Sequence, residues 1–259
     1  MAEPGFTYRG NRFALHRSGR GEALLYLHGL DGAAPALPFI GGLADEFDVL
    51  VPEHPGFGAS DVPAWLETVD DLAYFHSELL DQLGVERVHL VGHSLGGWIA
   101  LELAVRAPKR FPTLTLIGSA GIHVKGVPKG DLFMRAPDAV LRSMFADPAL
   151  AEPILAQLGA SPEAQFAFNK NRNAVARVAW HPPLFNPQLE KWLPRVTMPA
   201  HVIWGVSDRL FPVEYAHAFR ALLPDARVTI IEACGHYAHL EQPERLQLAV
   251  SSFLLGAVR

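Results

Sequence analysis

One run of ten residues constrains the fold more than any other feature, because an apolar strand pattern passes through a glycine-rich turn directly into a helical pattern. The run reads Val88-His89-Leu90-Val91-Gly92-His93-Ser94-Leu95-Gly96-Gly97. A G-x-S-x-G turn between a strand and a helix forces its serine into a strained backbone conformation, and the glycines keep Cβ atoms out of the crowded bend. The run therefore predicts that Ser94 is an exposed nucleophile at the start of a helix. The alternative is a glycine-lined turn in which the serine only caps the helix.

Short apolar runs alternate with longer helical patterns along most of the chain. The predicted strands are residues 6–8, 12–16, 23–27, 49–51, 88–91, 114–117, 201–204 and 228–231, and the predicted helices are residues 69–83, 95–107 and 240–255. The first two strands are expected to pair in antiparallel fashion around Gly10-Asn11. The alternation predicts an α/β fold with an about eight-stranded, mostly parallel sheet and helices on both faces.

Residues 122–196 interrupt this alternation. They contain nine prolines and no convincing buried strand pattern. We interpret them as short helices that form a helical cap, or lid, inserted into a core domain formed by residues 1–121 and 197–259. Since no Gly/Ser-rich linker separates the two parts, the cap is expected to pack on the core.

Charge and cysteine content exclude several classes of protein. The net charge of −5 comes from 27 acidic and 22 basic residues that are scattered along the chain, so no basic stripe for nucleic acid or an anionic membrane is present. Cys234 is the single cysteine, and no Cys/His cluster has zinc spacing, so neither a disulfide nor a metal site is expected. The N-terminus lacks the apolar stretch of a secretory signal. These features predict a cytoplasmic protein that acts on a small molecule, needs no cofactor and could form a homodimer.

Four motifs along the chain resemble those of the α/β-hydrolase superfamily, in the family's order and over nearly the whole length. They are His28-Gly29-Leu30-Asp31-Gly32, similar to the oxyanion loop; residues 53–60, similar to the D-x-x-G-x-G-x-S turn; residues 92–97, the nucleophile elbow; and Trp204-Gly205-Val206-Ser207-Asp208 with Gly235-His236, similar to the acid and base segments. The resemblance is to the serine-nucleophile branch of esterases and C–C hydrolases. It implies the α/β-hydrolase fold with a catalytic triad.

The resemblance assigns the remaining triad members. The acid should follow a strand and orient the base, which Asp208 does better than Asp225 or Glu232. The base should be an imidazole on a loop that reaches both partners, and His236 after Gly235 is best placed. His239 is the nearest alternative to it.

The same resemblance implies an oxyanion hole built from the backbone N–H groups of Leu30 and Leu95. His28 is expected to be a structural histidine that is hydrogen-bonded within its loop. His93 and Tyr237, beside the nucleophile and the base, are expected to contact the substrate.

Specificity is expected to come from the cap. It is rich in large apolar residues, namely Phe133, Met134, Met144, Phe145, Phe166, Phe168, Trp180 and Phe185. These side chains suit a hydrophobic substrate, although most of them could simply pack the cap on the core. Trp180 is the predicted substrate contact among them. Arg172 or Lys170, in a polar cluster at residues 169–173, could bind a substrate carboxylate or belong to a solvated helix face.

The residues around the triad favour one reaction over its relatives. C–C hydrolases of this fold usually carry asparagine before the nucleophile and tryptophan after the histidine, whereas this chain has His93 and Tyr237. Dehalogenases and epoxide hydrolases of the fold have aspartate where Ser94 stands. We therefore predict a carboxylesterase-like serine hydrolase that cleaves a small, largely hydrophobic ester through an acyl-enzyme. The alternatives are a C–C (vinylogous diketone) hydrolase or lactonase with the same triad, and a non-catalytic ligand-binding homologue.

Overall fold

The computed structural model describes residues 5–258 of the chain. Residues 1–4 and 259, which the predicted core domain includes at its ends, lie outside the described residues. The strands are β1 (Phe6–Tyr8), β2 (Asn11–Phe13), β3 (Leu15–Ser18), β4 (Glu22–Leu27), β5 (Phe47–Pro52), β6 (His89–His93), β7 (Leu114–Ile117), β8 (Ala200–Gly205) and β9 (Ala226–Ile231). The α-helices are α1 (Leu37–Gly41), α2 (Val69–Gln82), α3 (Leu95–Arg106), α4 (Pro137–Ser143), α5 (Glu152–Ala160), α6 (Pro162–Ala179), α7 (Glu214–Leu222), α8 (Ala238–Glu241) and α9 (Pro243–Val258).

Within residues 5–258, seven strands form one sheet in the order β3-β5-β4-β6-β7-β8-β9, and β3 is its antiparallel member. All residues of β6, β7 and β8 are buried, as expected for parallel strands covered on both faces. Residues of α1 and α9 belong to the apolar cluster on one face, and residues of α2, α3 and α7 belong to the cluster on the other. The predicted α/β class, with a mostly parallel sheet and helices on both faces, is confirmed.

The sheet has seven strands where about eight were expected, because the predicted strand at residues 12–16 is broken at Ala14. The Ala14 N–H donates to Ser60 Oγ, and the Arg12 N–H donates to Asp61 Oδ2. Ser60 and Asp61 lie in the loop after β5, and their side chains hydrogen-bond the backbone that would otherwise continue the strand. As a result β2 pairs only with β1 in a small hairpin, whereas β3 pairs with β5 in the main sheet.

Two local signals set the helix ends. The side chain of Thr68 accepts from the Asp71 N–H while the Asp71 carboxylate accepts from the Thr68 N–H, so a capping box starts α2 at Val69. The predicted helix at residues 240–255 is instead two helices, α8 and α9, which meet at Gln242. Proline disfavours helical geometry in the residue before it, so Pro243 begins α9 rather than lying inside a longer helix.

Residues 122–196 hold α4, α5 and α6, together with 3₁₀ turns at Pro148–Ala151 and Glu190–Arg195. No strand occurs in this segment, all of which the structure describes. At 18 residues, α6 is longer than the short helices that the prolines predicted. No helix within residues 5–258 is long and apolar enough to span a membrane.

The strand order fixes where a site can form. The chain runs from β4 outward to β5 and then returns past β4 to β6, so the direction of winding reverses between β4 and β6. In open α/β sheets, ligands bind outside the carboxyl ends of the strands at such a reversal. The loop that contains Leu30 follows β4, and Ser94 follows β6, so both lie at this point.

Candidate active site

The turn at Ser94 has the strained geometry that its sequence predicts. Ser94 lies between β6 and α3 with φ 54° and ψ −117°, in a region of backbone angles that residues other than glycine rarely adopt. A Cβ atom on Gly96 would collide with the Leu27 carbonyl, and one on Gly92 would collide with the backbone at Gly96. The glycines thus allow strand and helix to approach closely enough to hold the serine in this conformation.

Ser94, His236 and Asp208 form a continuous hydrogen-bonded line. Ser94 Oγ lies 2.9 Å from His236 Nε2, and His236 Nδ1 lies 2.7 Å from Asp208 Oδ2. Ser94 is 7% exposed, His236 2% and Asp208 5%, so the line is largely shielded from water. The arrangement gives Ser94 a proton acceptor whose opposite nitrogen is fixed by a carboxylate.

Backbone groups hold the acid and the base in position. The N–H groups of Leu210 and Phe211 donate to Asp208 Oδ1 at 2.8 and 2.9 Å, which leaves Oδ2 for His236. The His236 N–H donates to the carbonyl of Met144 at 2.7 Å. His236 therefore has both ring nitrogens and its backbone amide engaged. Asp225 and Glu232, the alternative acids, are exposed on the surface.

The predicted oxyanion-hole residues border the same space. Leu30 and Leu95 line the small cavity next to Ser94 and His236. Their backbone N–H groups donate to no other backbone group within the described residues. Two free backbone amides beside a serine are what a developing oxyanion needs.

The cavity above Ser94 is narrow and apolar. Its volume is about 10 Å³, which is room for roughly one water molecule. Apart from Ser94, His236 and the two leucines of the predicted oxyanion hole, it is lined by Leu132, Met144, Val175, Leu184, Leu210 and Tyr237. Four of these, Leu132, Met144, Val175 and Leu184, come from the predicted cap.

Three of the predicted substrate contacts do not line this cavity. His93 Nε2 lies 3.0 Å from the His236 carbonyl. The ring of His93 therefore packs against the backbone of His236 and does not line the cavity. Trp180 is 50% exposed and packs on Phe133, with 4.9 Å between ring centroids. Arg172 does not line the cavity either, since its guanidinium carbon lies 5.9 Å from the centre of the Phe168 ring, and its Nη1 atom is buried without a hydrogen-bond partner among the described residues.

Tyr237 is the predicted contact that does line the cavity. Burial, and then the charge of Asp31, raise the pKa of its hydroxyl well above its ordinary value of 10.0, so the group stays neutral at physiological pH. It packs edge-on against Phe145. Tyr237 therefore contributes a largely apolar wall.

The polar cluster at residues 169–173 anchors α6 to the core. Lys170 Nζ donates to the carbonyls of Gly58 and Ser60 at 2.8 and 2.7 Å, and Asn171 Oδ1 accepts from the Gly58 N–H at 3.0 Å. Lys170 is thereby engaged by backbone carbonyls. The solvated helix face considered from the sequence is not what these two residues form.

A second polar cluster, not predicted from the sequence, lies directly behind the triad. It consists of Asp31, His93 and His239, with His239 Nε2 2.7 Å from Asp31 Oδ2 and His93 Nδ1 3.9 Å from Asp31 Oδ1. Burial alone would raise the pKa of Asp31, but the neighbouring histidines, chiefly His239, lower it from 3.8 to about 2. The available signals were the aspartate in the HGLDG motif and a histidine three residues after His236. Neither signal shows that residues so far apart in sequence lie close together in the fold.

A row of three buried histidines lies under the loop after β4. His54 Nε2–H donates to the His28 carbonyl at 3.0 Å, and His76 Nε2–H donates to His54 Nδ1 at 2.8 Å. His28 in turn accepts from the His54 N–H through Nε2 and donates to the Gly29 carbonyl through Nδ1. His28 thus has the hydrogen-bonding environment expected of a structural histidine.

Comparison with known proteins gives consistent results. The family model for the alpha/beta hydrolase fold matches residues 22–243. A 2-hydroxymuconate semialdehyde hydrolase of Pseudomonas sp. (strain CF600) is 31% identical over 267 residues, which cover 96% of this chain and 92% of that protein.

Two solved structures are similar over nearly the whole chain. A bacterial membrane phospholipase A superposes with a TM-score of 0.85 and 27% identity, covering 98% of this chain and 86% of that one. A meta-cleavage product hydrolase from Pseudomonas fluorescens IP01 superposes with a TM-score of 0.82 and 21% identity, covering 99% and 98%. At 21% identity the second likeness is one of fold alone.

Proposed function

The chain belongs to the α/β-hydrolase family, and from that premise we propose that it is a serine hydrolase that cleaves a carboxylic ester through an acyl-enzyme. The observation that carries the proposal is the buried line of hydrogen bonds from Asp208 through His236 to Ser94, with distances of 2.7 and 2.9 Å. A line of this kind activates a serine hydroxyl, which is a weak nucleophile by itself.

In the proposed reaction, His236 Nε2 takes the proton of Ser94 while Oγ attacks the substrate carbonyl. The resulting oxyanion accepts hydrogen bonds from the backbone N–H groups of Leu30 and Leu95. When the tetrahedral intermediate collapses, His236 gives its proton to the departing alcohol and the acyl group stays on Ser94. A water molecule, deprotonated by His236, then releases the acid by the same steps. Asp208 holds the imidazole in the required tautomer throughout.

The cavity supports a small, largely hydrophobic substrate. Its lining is aliphatic apart from the triad and Tyr237, and its volume of about 10 Å³ cannot hold even a short acyl chain. Binding therefore requires the apolar side chains that line the cavity to move, and compact groups require the least movement. Similarity to a bacterial membrane phospholipase A supports ester cleavage.

Hydrolysis of p-nitrophenyl acetate and butyrate by the wild type, Ser94→Ala and Ser251→Ala tests the proposal. Ser251 lies in α9, where its hydroxyl donates only to a neighbouring carbonyl, so it is a matched control. Ser94→Ala is expected to lower kcat at least about 10⁴-fold, and Ser251→Ala to leave kcat unchanged. Labelling of Ser94 by a fluorophosphonate would separate an active nucleophile from a non-catalytic ligand-binding homologue. Wild-type turnover by Ser94→Ala would refute the proposal.

A second candidate is cleavage of a C–C bond in a vinylogous diketone that bears a carboxylate. The Nη1 atom of Arg172 favours it, because this atom is buried without a hydrogen-bond partner among the described residues, and a guanidinium in that state suits a carboxylate. Identity of 31% to a 2-hydroxymuconate semialdehyde hydrolase also supports it.

A panel of ester, lactone and diketone substrates separates these candidates. If C–C cleavage is the reaction, the diketone gives the highest kcat/KM and Arg172→Gln lowers that value about 10- to 100-fold, the loss of one charge-assisted hydrogen bond. Arg177→Gln, an exposed arginine of the same helix, is the control and should have no effect. If the enzyme is an esterase, the diketone is not cleaved and both variants hydrolyse esters like the wild type.

A further inference from the structure

Three segments of the chain converge on a buried polar cluster behind the triad. Asp31 lies on the loop after β4, His93 is the last residue of β6, and His239 lies in α8. His93 and His239 are 1% and 3% exposed, whereas the side chain of Asp31 is 10% exposed and so retains a contact with solvent. Neither His239 nor Asp31 has a part in the proposed ester chemistry.

The hydrogen bonds of His93 leave two acceptors facing each other. His93 Nε2 lies 3.0 Å from the carbonyl oxygen of His236, so Nε2 must carry the ring proton and Nδ1 must present a lone pair. That lone pair is 3.9 Å from Asp31 Oδ1. Both atoms are buried and have no hydrogen-bond partner among the described residues. Two buried acceptors across such a gap require a cation or a hydrogen-bond donor between them.

The separations within the cluster fit a metal ion. One ligand atom each from Asp31, His93 and His239 lies within 4.8 Å of the other two. Zinc binds imidazole nitrogens at about 2.0–2.1 Å in tetrahedral geometry, which puts two donor atoms about 3.3 Å apart and two ring centres about 5 Å apart. The rings of His93 and His239 are 4.9 Å apart between centroids and inclined at 67°.

We propose that Asp31, His93 and His239 bind a divalent transition-metal ion of the Zn²⁺ type. His93 would bind through Nδ1, His239 through Nε2 and Asp31 through its carboxylate, with water in the fourth position. His239 then carries its proton on Nδ1, an atom that is buried and unpartnered. Two imidazoles and one carboxylate suit zinc rather than Mg²⁺ or Ca²⁺, which prefer oxygen ligands alone.

The ion would act as a clamp on the three segments that carry the active site. Asp31 follows Leu30 of the predicted oxyanion hole, His93 precedes Ser94, and His239 is three residues after His236. The sequence expectation that no metal binds rested on ligand spacing. That criterion cannot detect ligands spread over the 208 positions that separate Asp31 from His239.

Metal binding to the full chain tests the proposal. Protein treated with a chelator and dialysed into metal-free buffer is titrated with Zn²⁺ and with Co²⁺, and bound metal is measured by mass spectrometry. The wild type is expected to bind one equivalent and to give with Co²⁺ the intense visible absorption of a four-coordinate site. Zn²⁺ at about 100 times its Kd should raise Tm by at least about 5 °C, whereas Mg²⁺ should not.

Variants identify the ligands. Asp31→Asn and His239→Gln are each expected to weaken Zn²⁺ binding at least about tenfold, while His217→Gln, which changes an exposed histidine, should bind like the wild type. Ser94→Ala should also bind the ion, which keeps the outcome independent of the proposed ester chemistry. Circular dichroism checks that each variant is folded. Absence of stoichiometric binding by the wild type, the result expected if a water molecule fills the gap, would overturn the proposal. Undiminished binding in both ligand variants would do the same.

Discussion

The floor and the roof of the cavity above Ser94 differ in the chemical groups that form them. The floor consists of the triad and the backbone amides of Leu30 and Leu95, and hydrogen bonds from main-chain groups fix Asp208 and His236. The roof consists of aliphatic side chains, Leu132, Met144, Val175 and Leu184, that fill nearly all of the space above the serine.

This difference separates chemistry from selectivity. A hydrogen-bonded floor keeps its geometry when side-chain volumes nearby change, because its directions are set by the backbone. An apolar roof has no such directional constraint, and its shape follows the volume of the side chains. Changes to the floor should therefore alter the rate for every ester alike, and changes to the roof should alter which ester reacts.

Removal of one backbone amide from the floor is expected to have the largest effect on the reaction. Leu95 is the first residue of α3, a position where the φ angle of proline is compatible with the helix. Leu95→Pro deletes the N–H assigned to the oxyanion hole and is expected to lower kcat about 10²- to 10³-fold for short and long esters alike. Steady-state kinetics on p-nitrophenyl acetate, butyrate and hexanoate measure this.

Leu95→Ala is the matched control, since it removes the side chain and keeps the amide. It should retain kcat within about tenfold. Thermal unfolding and fluorophosphonate labelling of both variants show whether the fold and the reactivity of Ser94 survive. Equal losses in the two variants would mean that the leucine side chain, rather than its amide, is what matters.

Enlarging the cavity by shortening a side chain of the roof should change selectivity more than rate. Met144 is buried beside Ser94, and the bonds that its carbonyl accepts from the His236 and Tyr237 N–H groups do not depend on its side chain. Met144→Ala is expected to raise the ratio of kcat/KM for hexanoate over acetate about tenfold, the value of one or two methylenes in an apolar pocket. Competition between the two esters measures the ratio directly.

Met134→Ala makes the same chemical change in the same predicted cap, at a side chain that is 77% exposed. The ratio should stay at the wild-type value. If Met144→Ala instead lowered kcat equally for all chain lengths, the roof would be part of the catalytic apparatus and would not act on selectivity alone.

Much of the floor could be predicted from the sequence because its parts are local. The strand, G-x-S-x-G turn and helix around Ser94 form one continuous segment whose glycines leave few conformations. Asp208 and His236 each follow a strand, so their positions at one edge of the sheet come from the alternation of strands and helices. The fold class followed from the same alternation, while the breaks at Ala14 and Gln242 depended on contacts and on a proline effect that periodicity does not register.

The roof and the polar cluster behind the triad could not be predicted, for a physical reason. Which side chains of the predicted cap reach Ser94 depends on how the helices at residues 122–196 pack on the rest of the chain, and hydrophobic periodicity does not encode that packing. Trp180 is an example: its aromatic ring suggested a substrate contact, yet it lies half-exposed on Phe133. His93 does not line the cavity either, because adjacency to Ser94 in sequence does not decide which side of the strand its ring occupies.

The buried histidines beneath the loop after β4 make the stability of the fold depend on pH. The floor rests on the row of buried histidines, in which burial and then the charge of His28 lower the pKa of His76 from 6.5 to about 3. The unfolded chain therefore binds a proton between pH 6.5 and pH 3 that the folded chain does not, so stability falls as pH falls through that window. Burial also lowers the pKa of His54, and the effect has the same sign.

His76→Gln measures this contribution. The glutamine amide can still donate to His54 Nδ1, but it does not titrate. Between pH 7 and pH 6 the wild type is expected to lose about 0.7 kcal/mol of unfolding free energy through His76, and His76→Gln should lose less by that amount. Urea unfolding at the two pH values gives the difference, with exposed His217→Gln as the control. If the unfolding free energy of His76→Gln depended on pH as steeply as that of the wild type, His76 would not be the group responsible for this pH dependence.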